Sequence, residues 1–398
     1  MTGARRKNAL VPWENREPMN QRTEFVTKAR ETENFSALCR EFGISRQIGY
    51  KWLERYEAEG VRGMADRSRK PHRAGNELIE EVVCRIIRLK ERHRYWGARK
   101  LQIIYEKSWG EAPSESSFKR ILNKCGMVEK RRIRKATESG RIATGRRAFA
   151  PNEIWTVDFK GWWKDAQGRC MPLTIRDEYT RYVLAVIAVE DGKTETVKKC
   201  FETLFAKYGL PGAIRSDNGP PFASQEGLMG LSRLSAWWLA LGIDLERSRP
   251  GCPQDNGGHE RMHRDIAREI EPNRPVERQA VLDTWRKEFN EERPHEALGM
   301  KTPAEIYRPS EKKWQGGIDQ LSYPEMATRR VGHRGAVRME GRRVFLTTAL
   351  AGWNVGLKPA KDGLWEVYFA KLLIGHIEPK SEVFIRNQTT PMEFPKAA

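Results

Sequence analysis

The sequence contains no long apolar run. None approaches the roughly 20 consecutive apolar residues that a membrane-spanning helix requires. The polar, basic start over residues 1–7 leads into no hydrophobic signal segment. The chain is therefore predicted to be a soluble, cytoplasmic protein without a membrane partner.

Cysteine is scarce, and its spacing forms no close pairs. The 6 cysteines include no Cys-x-x-Cys motif, so neither a zinc site nor a disulfide framework is indicated. We expect reduced and mostly buried small side chains at these positions. They are Cys39, Cys84, Cys125, Cys170, Cys200 and Cys252.

Acidic residues are the minority among the charged side chains. The 398 residues include 72 Lys and Arg against 53 Asp and Glu, which gives a formal net charge of +19. Such an excess suits a polyanionic partner, although charge alone does not separate DNA from RNA or from an anionic membrane surface. The length allows two or three domains.

Three acidic residues stand out by their local context. Residues 154–159 read as a buried strand that carries Asp158, and residues 213–216 read as a short strand that runs into a turn at Asp217. Glu260 follows a rigid, proline-containing turn and falls in the first turn of a helix, where the helix dipole favours a carboxylate. Alone, this segment is equally typical of a surface helix of mixed charge. Arginines that could reach phosphates follow on it at Arg261, Arg264 and Arg268.

The order of these motifs resembles the catalytic core of DDE insertion-sequence transposases and retroviral-type integrases. The resemblance covers roughly residues 150–310 and continues past Glu260 into Asn290 and the segments 293–298 and 302–305. The motifs that carry it are Trp155-Thr156-Val157-Asp158, Ser216-Asp217-Asn218-Gly219, and Pro253-Gln254-Asp255-Asn256 followed by Glu260.

The resemblance implies a ribonuclease-H-like α/β core with a mixed five-stranded sheet. It implies that Asp158, Asp217 and Glu260 are the catalytic residues and the metal ligands. The implied partner is double-stranded DNA, as terminal inverted repeats and target, bound by a homo-oligomer in the bacterial nucleoid. No nucleophilic side chain stands in a comparable context, so the carboxylates indicate metal chemistry with two Mg²⁺ ions, for which Mn²⁺ may substitute.

Other acids compete for the third catalytic position. Residues 227–233 lengthen the interval before Glu260 by about two helical turns relative to the commonest family spacing. Glu226 lacks the proline and asparagine context of Glu260. Glu246 lies on an alternating, strand-like segment and is expected to point its side chain to solvent together with Asp244. We therefore keep Glu260.

Asp177 and two histidines are assigned other roles. Asp177 falls in a turn, and a turn-forming role is favoured over a catalytic one. His259 and His263 flank Glu260, but no further cysteine or histidine lies at zinc-ligand spacing. These histidines are expected to face DNA or to be structural.

Residues 35–53 predict a helix-turn-helix. Gly43 permits the tight turn, and Ser45 can cap the second helix. That helix would present polar and basic side chains to a major groove. An ordinary helical hairpin is the alternative. The expected DNA contacts are Arg46, Gln47, Tyr50 and Lys51.

Three amphipathic stretches after residue 78 predict a second helical unit. Residues 96–101, which begin with Trp96 and Gly97, resemble the second DNA-binding module of the same transposases. This implies DNA contacts at Arg99 and Lys100, and a small bundle that only packs is the alternative. A basic tract follows, in which the expected phosphate contacts are Arg131, Arg132 and Arg134.

Strand-like runs at 154–163, 169–177 and 181–189 predict an antiparallel meander in the core. Alternating runs at 336–346 and 364–377 predict a small SH3-like β-barrel. The predicted domains are 1–60 helix-turn-helix, 61–130 second helical module, 131–149 basic linker, 150–310 catalytic core, 311–325 linker, 326–386 barrel and 387–398 disordered tail.

The predicted function is DNA cleavage and strand transfer that move an insertion sequence. One alternative is a helix-turn-helix regulator with a catalytically inactive core, and the retained triad of acids disfavours it. The other is a ribonuclease-H-like nuclease that cuts without joining. Two N-terminal DNA-binding modules disfavour the nuclease, because they imply recognition of fixed ends.

Overall fold

The computed structural model describes residues 18–67, 78–128, 146–165, 168–224, 226–249, 256–270 and 278–387. Within these ranges no helix combines the length and apolar character needed to cross a membrane. The helices are α1 (Pro18–Ala29), α2 (Phe35–Glu41), α3 (Arg46–Glu59), α4 (Glu80–Arg92), α5 (Ala98–Trp109), α6 (Glu115–Lys124), α7 (Thr194–Tyr208), α8 (Arg233–Ala240), α9 (Gly257–Glu269), α10 (Arg278–Lys287) and α11 (Pro303–Ile306). The strands are β1 (Ile154–Phe159), β2 (Trp163–Asp165), β3 (Gly168–Asp177), β4 (Val183–Val189), β5 (Ala213–Ser216), β6 (Asp244–Arg247), β7 (Ala327–Arg330), β8 (Ala336–Met339), β9 (Arg342–Phe345), β10 (Asn354–Pro359), β11 (Trp365–Phe369), β12 (Leu372–Glu378) and β13 (Val383–Arg386).

Two compact units divide the chain, Met1–Ile79 and Glu80–Ala398. In the first, α2 and α3 form the predicted helix-turn-helix. Ser45 caps α3 as predicted, because its hydroxyl accepts a hydrogen bond from the backbone N–H of Ile48 at 3.3 Å. Gly43 has a φ of +65°, the left-handed conformation that the turn requires. Residues Gly60–Met64 form a 3₁₀ turn, and Met64, which falls in the range predicted for the second module, is buried in the core of the first unit.

Gly49 lies where α3 packs against α1 and α2. A Cβ atom at this position would come within 2.8 Å of the Cys39 sulfur and 3.0 Å of the Phe25 and Phe35 rings. We expect Gly49→Ala to reduce the free energy of unfolding of the first unit by about 1–3 kcal/mol, because overpacking forces side chains off their rotamers. Urea denaturation measures the change, with Glu57→Ala on the exposed face of α3 as the control. Equal stabilities of the two variants would contradict this packing.

The central sheet of the second unit is mixed, as predicted. Strand β1 pairs antiparallel with β3 and parallel with β5, while β4 pairs antiparallel with β3 and β6 pairs parallel with β5. The order is therefore β4-β3-β1-β5-β6. The strand predicted over 154–163 is instead two strands. The chain turns at Gly161, which has a φ of +93°, and β2 forms a hairpin with β3.

The inserted residues 227–233 form a compact turn before α8. Leu228–Gly230 is a 3₁₀ turn, and Leu228 and Leu231 are buried in the hydrophobic core. Ser232 then caps α8 through a capping box. The insertion therefore anchors the start of α8 and does not lengthen a neighbouring helix.

The C-terminal strands form a five-stranded antiparallel sheet and a separate hairpin. The order in the sheet is β13-β12-β11-β10-β7, and the hairpin is β8–β9. Val355 of β10 and Phe369 of β11 belong to the same hydrophobic core as Trp155 of β1 and Phe205 of α7. The C-terminal strands and the central sheet are therefore built around one continuous core.

Segments on both sides of the C-terminal strands contact the folded part of the second unit. Residues 311–325 contain no helix or strand, as expected of a linker, but Trp314 and Leu321 pack against the common core. Asn387, expected to begin a disordered tail, donates its backbone N–H to the Ile374 carbonyl oxygen at 3.2 Å. Residues 388–398 lie outside the described residues.

The prediction of buried cysteines is wrong for Cys84 and Cys125. Among the five described cysteines these two are exposed, Cys200 is partly buried, and Cys39 and Cys170 are buried. Cys84 lies on the solvent face of α4, and Cys125 follows the last residue of α6, so neither position reaches a core. Cys252 lies outside the described residues.

Candidate active site

Asp158 and Asp217 lie at the same edge of the central sheet. Strands β1 and β5 are adjacent and parallel, with Thr156 opposite Arg215. Two residues further along each strand, the same register brings Asp158 level with Asp217, which directly follows β5. Residues two apart on a strand share a face, so the pairing itself sets these two acids side by side.

Glu260 occupies the first turn of α9, as predicted. Asn256 is at the N-cap position, although its side chain makes no capping hydrogen bond. Met262 and Ile266 share the apolar face of the helix and are buried in a cluster with Val183 of β4. The opposite face leaves Glu260 exposed.

Two histidines join α9 to the strand beside Asp158. Asp158 on β1 and Thr174 on β3 are cross-strand partners. His259 Nε2 lies 3.3 Å from the Thr174 carbonyl oxygen, and His263 Nε2 lies 2.8 Å from the Thr174 hydroxyl. Burial lowers the pKa of His263 to about 4 and also lowers the pKa of His259, so both rings are neutral near pH 7. Their role here is structural, one of the two roles expected for them.

The three acids share one electrostatic neighbourhood. Burial raises the pKa of Asp158 to about 7, and the charges of Asp217 and Glu260 contribute to the increase, while the hydrogen bond from the Phe159 backbone opposes it. Like charges raise the pKa of a carboxyl group only when they are near it. Across the described part of the chain, no group of three or more His, Cys, Asp or Glu side chains is arranged closely enough to hold a metal ion.

Arg247 supports the turn that carries Asp217, a role that the sequence did not predict. Its guanidinium donates hydrogen bonds to the Ser216 hydroxyl and, at 2.7 Å, to the Phe222 carbonyl oxygen. Burial lowers the pKa of Arg247 to about 10, and the Asp217 charge opposes the decrease. Ser216 and Arg247 are cross-strand partners in β5 and β6. This role becomes apparent only when the pairing of the two strands is known.

Glu246 is already paired in the fold, and the expectation that it points to solvent is wrong. Its carboxylate accepts hydrogen bonds from Arg215 Nε at 2.9 Å and Nη2 at 2.7 Å. Arg146 Nε lies 3.2 Å away, and the Glu246 side chain is 11% exposed. Arg215 is its cross-strand partner on β5, so the parallel pairing supplies the counter-charge.

Asp177 forms a turn, as predicted. One carboxylate oxygen accepts hydrogen bonds from the Thr180 backbone N–H at 2.7 Å and the Thr180 hydroxyl at 2.6 Å. The other accepts one from the Asn152 backbone N–H at 2.7 Å. The remaining competitor, Glu226, is exposed in the loop before the 3₁₀ turn.

Arg176 and Arg293 also fix the position of α9, and both were missed as functional residues. The Arg176 guanidinium packs against Gly258 so closely that no Cβ atom would fit there. Arg293 pairs with Asp265 of α9 at 3.0 Å. A glycine directly before the buried His259 is a sequence feature that could have indicated this close approach.

The residues predicted to contact DNA in the first unit share one exposed surface. Tyr50 is 57% exposed and stacks on Phe35 with ring centroids 4.3 Å apart. The Lys51 ammonium lies 5.4 Å from the centre of the Trp52 ring. The exposed side chains on α3 are Arg46, Gln47, Tyr50 and Lys51.

The residues predicted to contact DNA in the second unit have mixed surroundings. Arg99 is exposed and lies 4.0 Å from Glu296. Lys100 is partly buried, and this burial, followed by the charge of Arg293, lowers its pKa to about 8. The Arg268 guanidinium lies 4.7 Å from the centre of the Tyr95 ring. Arg261 and Arg264 are exposed on α9. Arg131, Arg132 and Arg134 lie outside the described residues.

Four family models match the chain. Two models of the integrase core domain match residues 148–253 and 241–303. A helix-turn-helix domain model matches residues 21–72, and a homeodomain-like domain model matches residues 48–122. The integrase matches contain Asp158, Asp217 and Glu260, and the helical matches contain α2–α5 and most of α1 and α6.

Two of the curated relatives are insertion-element proteins. The insertion element IS407 uncharacterized 31.7 kDa protein of Burkholderia multivorans is 26% identical over 290 residues, which cover 71% of this chain and 94% of the relative. The insertion element IS476 uncharacterized 39.2 kDa protein of Xanthomonas euvesicatoria is 26% identical over 232 residues, which cover 57% of this chain and 64% of the relative. Among solved structures, the HTLV-2 integrase catalytic core domain in complex with magnesium matches 41% of this chain and 100% of its own, with 19% identity and a TM-score of 0.33.

Proposed function

We propose that this chain, which belongs to the insertion-sequence transposases of the DDE integrase superfamily, cleaves DNA at the ends of its element and joins those ends to target DNA. The observation that supports the proposal is that Asp158 and Asp217 stand level on adjacent parallel strands, while the charge of Glu260, on α9, acts on Asp158. Acids held on rigid elements keep a reacting phosphodiester in fixed geometry. A polyanionic substrate also suits the net charge of +19.

We assign divalent cations to this site, with two Mg²⁺ ions as the cofactor and Mn²⁺ as a substitute. Asp158, Asp217 and Glu260 would hold them. The donor set fits, because it consists of carboxylate oxygens, which hard divalent cations prefer. Burial contributes most to the raised pKa of Asp158, and the part that comes from the charges of Asp217 and Glu260 would be relieved by bound positive charge. When bound, such ions activate a water molecule or a 3′-hydroxyl and stabilise the leaving oxygen.

Neighbouring side chains of the protein hold the three acids in position. His259 and His263 connect α9 to Thr174, opposite Asp158, so Glu260 stays beside β1. Because both histidines are neutral, they add no positive charge that would compete with a cation for the acids. Arg247 lies on β6 and donates hydrogen bonds to Ser216 and Phe222, on either side of Asp217. It therefore holds the turn that carries Asp217 against β6.

DNA recognition is assigned first to the helix-turn-helix. The exposed surface of α3 would enter the major groove of the terminal repeats, while the basic tract after residue 130 contacts phosphates without reading sequence. A homo-oligomer would hold the paired ends, acting in the bacterial cytoplasm on nucleoid DNA. The C-terminal strands would complete an SH3-like barrel. Further phosphate contacts are assigned to Lys51, Arg99, Arg261 and Arg264.

Substitutions on α3 should affect sequence preference. Arg46→Ala, Gln47→Ala and Tyr50→Ala in the full chain are each expected to reduce the preference for repeat over scrambled duplex by roughly 5- to 100-fold, since a base contact contributes about 1–3 kcal/mol. Tyr50→Phe is the matched control for folding, because it keeps the stack on Phe35. Titrations of both duplexes with protein measure the preference.

Substitutions in the basic tract should affect all DNA alike. Replacing Arg131, Arg132 and Arg134 together with alanine is expected to weaken binding to both duplexes equally. The salt dependence should also become shallower, by roughly one unit of slope for each phosphate that the tract no longer neutralises. Titrations at two salt concentrations measure this. If the wild-type chain binds both duplexes equally and the α3 substitutions change nothing, α2 and α3 only pack.

The proposed activity is tested with the full chain, duplexes that carry the inverted repeats flanking its coding region, and a circular target DNA. We expect cleavage that leaves 3′-hydroxyls at the repeat ends, followed by joining to the circle. Cleavage without joined product would replace the proposal with a nuclease. Repeat binding with neither product would replace it with a regulator.

A further inference from the structure

Arg293 lies at the centre of the contact between α9 and the helical module α4–α6. It directly follows the π-helical turn Glu288–Glu292 at the end of α10, and its side chain is 3% exposed. The guanidinium forms ion pairs with Asp265, at 3.0 Å, and with Glu269. Both acids belong to α9, the helix that carries Glu260. One buried cation therefore holds this helix at two points.

Aromatic rings surround the same guanidinium. Its Cζ atom lies 5.5 Å from the ring centre of Trp96, 5.1 Å from that of Phe289 and 5.9 Å from that of Trp285. Trp285 also donates its indole N–H to Glu269 at 2.7 Å, so the rings and the ion pairs share a partner. The planar fork of arginine allows two carboxylates to be bound at once, here Asp265 by Nη1 and Glu269 by Nη2, while Nε makes no hydrogen bond within the described residues.

Trp96 is the residue of the helical module that contacts the Arg293 guanidinium, and neighbouring side chains hold its ring in place. The ring is 4% exposed and stacks on His93 with centroids 3.9 Å apart. Lys90 donates to the Trp96 carbonyl oxygen at 2.9 Å, and His93 Nδ1 lies 3.0 Å from Glu288. The ring therefore leaves the Arg293 guanidinium only if the module itself moves.

We infer that Arg293 is a positioning residue for Glu260, and that the helical module α4–α6 sets the position of α9 through Trp96. The inference rests on the proposed function, because it takes Glu260 to be a catalytic residue. The start of α9 is joined to Thr174 by His259 and His263, and its end is held by Arg293. A change in the seating of the module therefore reaches Glu260 without any contact between the module and the reacting DNA.

Three substitutions each remove a different contact of the Arg293 guanidinium. Arg293→Lys keeps the charge but cannot bind two carboxylates in a fork. Trp96→Leu keeps an apolar side chain but removes the ring face, and Asp265→Asn keeps the size but removes one ion pair. Each is expected to lower the kcat of strand transfer roughly tenfold or more at an unchanged KM for DNA, since a misplacement of about 1 Å can cost ~100-fold. Trp96→Phe, which retains a ring, should recover most of the loss.

A double-mutant cycle separates coupling from general loss of stability. Trp96 and Asp265 are connected through Arg293, so the effects of Trp96→Leu and Asp265→Asn on kcat should be non-additive. Lys107→Ala is the matched control, because Lys107 of α5 pairs with Glu305 of α11 at 2.9 Å and so joins the same module to a helix other than α9. It is expected to leave kcat unchanged. Additive effects, or an equal loss in Lys107→Ala, would overturn the inference.

Hydrogen exchange tests the inference independently of activity. Arg293→Lys and Trp96→Leu in the full chain should accelerate exchange of the α9 amides more than that of the β1 amides, whereas Lys107→Ala should not. Unchanged protection of α9 would overturn the inference even in an active enzyme. If the wild-type chain neither cleaves nor joins DNA while the variants still loosen α9, the proposed function fails and the coupling stands. Asp265→Asn serves the same comparison if a substitution at Trp96 or Arg293 does not fold.

Discussion

Asp158→Asn, Asp217→Asn and Glu260→Gln are each expected to lower DNA cleavage and strand transfer by about three orders of magnitude. An amide cannot supply the negative charge that holds a divalent cation, and the transition-state stabilisation by such an ion amounts to several kcal/mol, at roughly 1.4 kcal/mol per tenfold in rate. Single-turnover assays on repeat-end duplexes measure the loss. Repeat binding should persist, because none of these residues belongs to the helical DNA-binding units.

The stability of Asp158→Asn shows whether such a variant has lost its fold. The folded-state pKa of Asp158, about 7, exceeds its ordinary value of 3.8. The stability linked to this group is therefore fully present below pH about 4 and is lost as the pH rises through 7. Removing the charge is expected to raise the Tm at pH 8 in the presence of chelator. An unstable variant would instead mean that its loss of activity reflects misfolding.

Glu246→Gln is the control for the assignment of Glu260 as the third catalytic acid. Its carboxylate is paired with Arg215 and Arg146, so this substitution acts on the packing of β5 and β6, not on the site. If Glu260→Gln retained wild-type activity while a folded Glu246→Gln lost it, the assignment of Glu260 would be wrong.

Removal of divalent cations is expected to lower activity as much as substitution of any of the three acids. EDTA should abolish cleavage and joining, and Mg²⁺ or Mn²⁺ should restore them. Ca²⁺ should allow protein–DNA assembly with little turnover, because its looser coordination positions the attacking oxygen poorly. Gel assays across a chelation and replenishment series measure both steps. Activity that survives exhaustive chelation would refute the metal assignment.

Direct binding of a divalent cation tests the metal assignment without catalysis. Calorimetric titration of the full chain with Mn²⁺ should show binding that Asp158→Asn weakens. Protons compete with the cation for Asp158, so the affinity should fall by about tenfold for each pH unit below 7. An affinity that is independent of pH between 5 and 7 would show that Asp158 is not a ligand.

Elements set by neighbouring residues were predictable from the sequence. The cap at Ser45, the strands that carry Asp158 and lead into Asp217, and the helix that begins before Glu260 all depend on short-range patterns. In each case the hydrophobic period or the capping residue agrees with the final fold, so local preference and tertiary structure do not conflict.

The predictions failed where tertiary pairing decides the outcome. Glu246 has an alternating, half-polar context, yet its partner Arg215 lies on another strand, about thirty residues away in the sequence. Met64 falls in the range predicted for the second helical module, but it is buried in the core of the first unit. The roles of Arg247 and Arg293 were not predicted either, because strand order and helix packing determine which residues they contact.

A premature stop codon anywhere between Tyr307 and Phe369 would leave all three acids in the translated product. It would still remove side chains that complete the hydrophobic core around Trp155, so the central sheet would be left with an exposed apolar face. Such truncated alleles should therefore encode no catalytic fold, whereas the first compact unit ends well before the lesion. Nonsense mutations late in the gene should thus be as inactivating as mutations of the acids themselves.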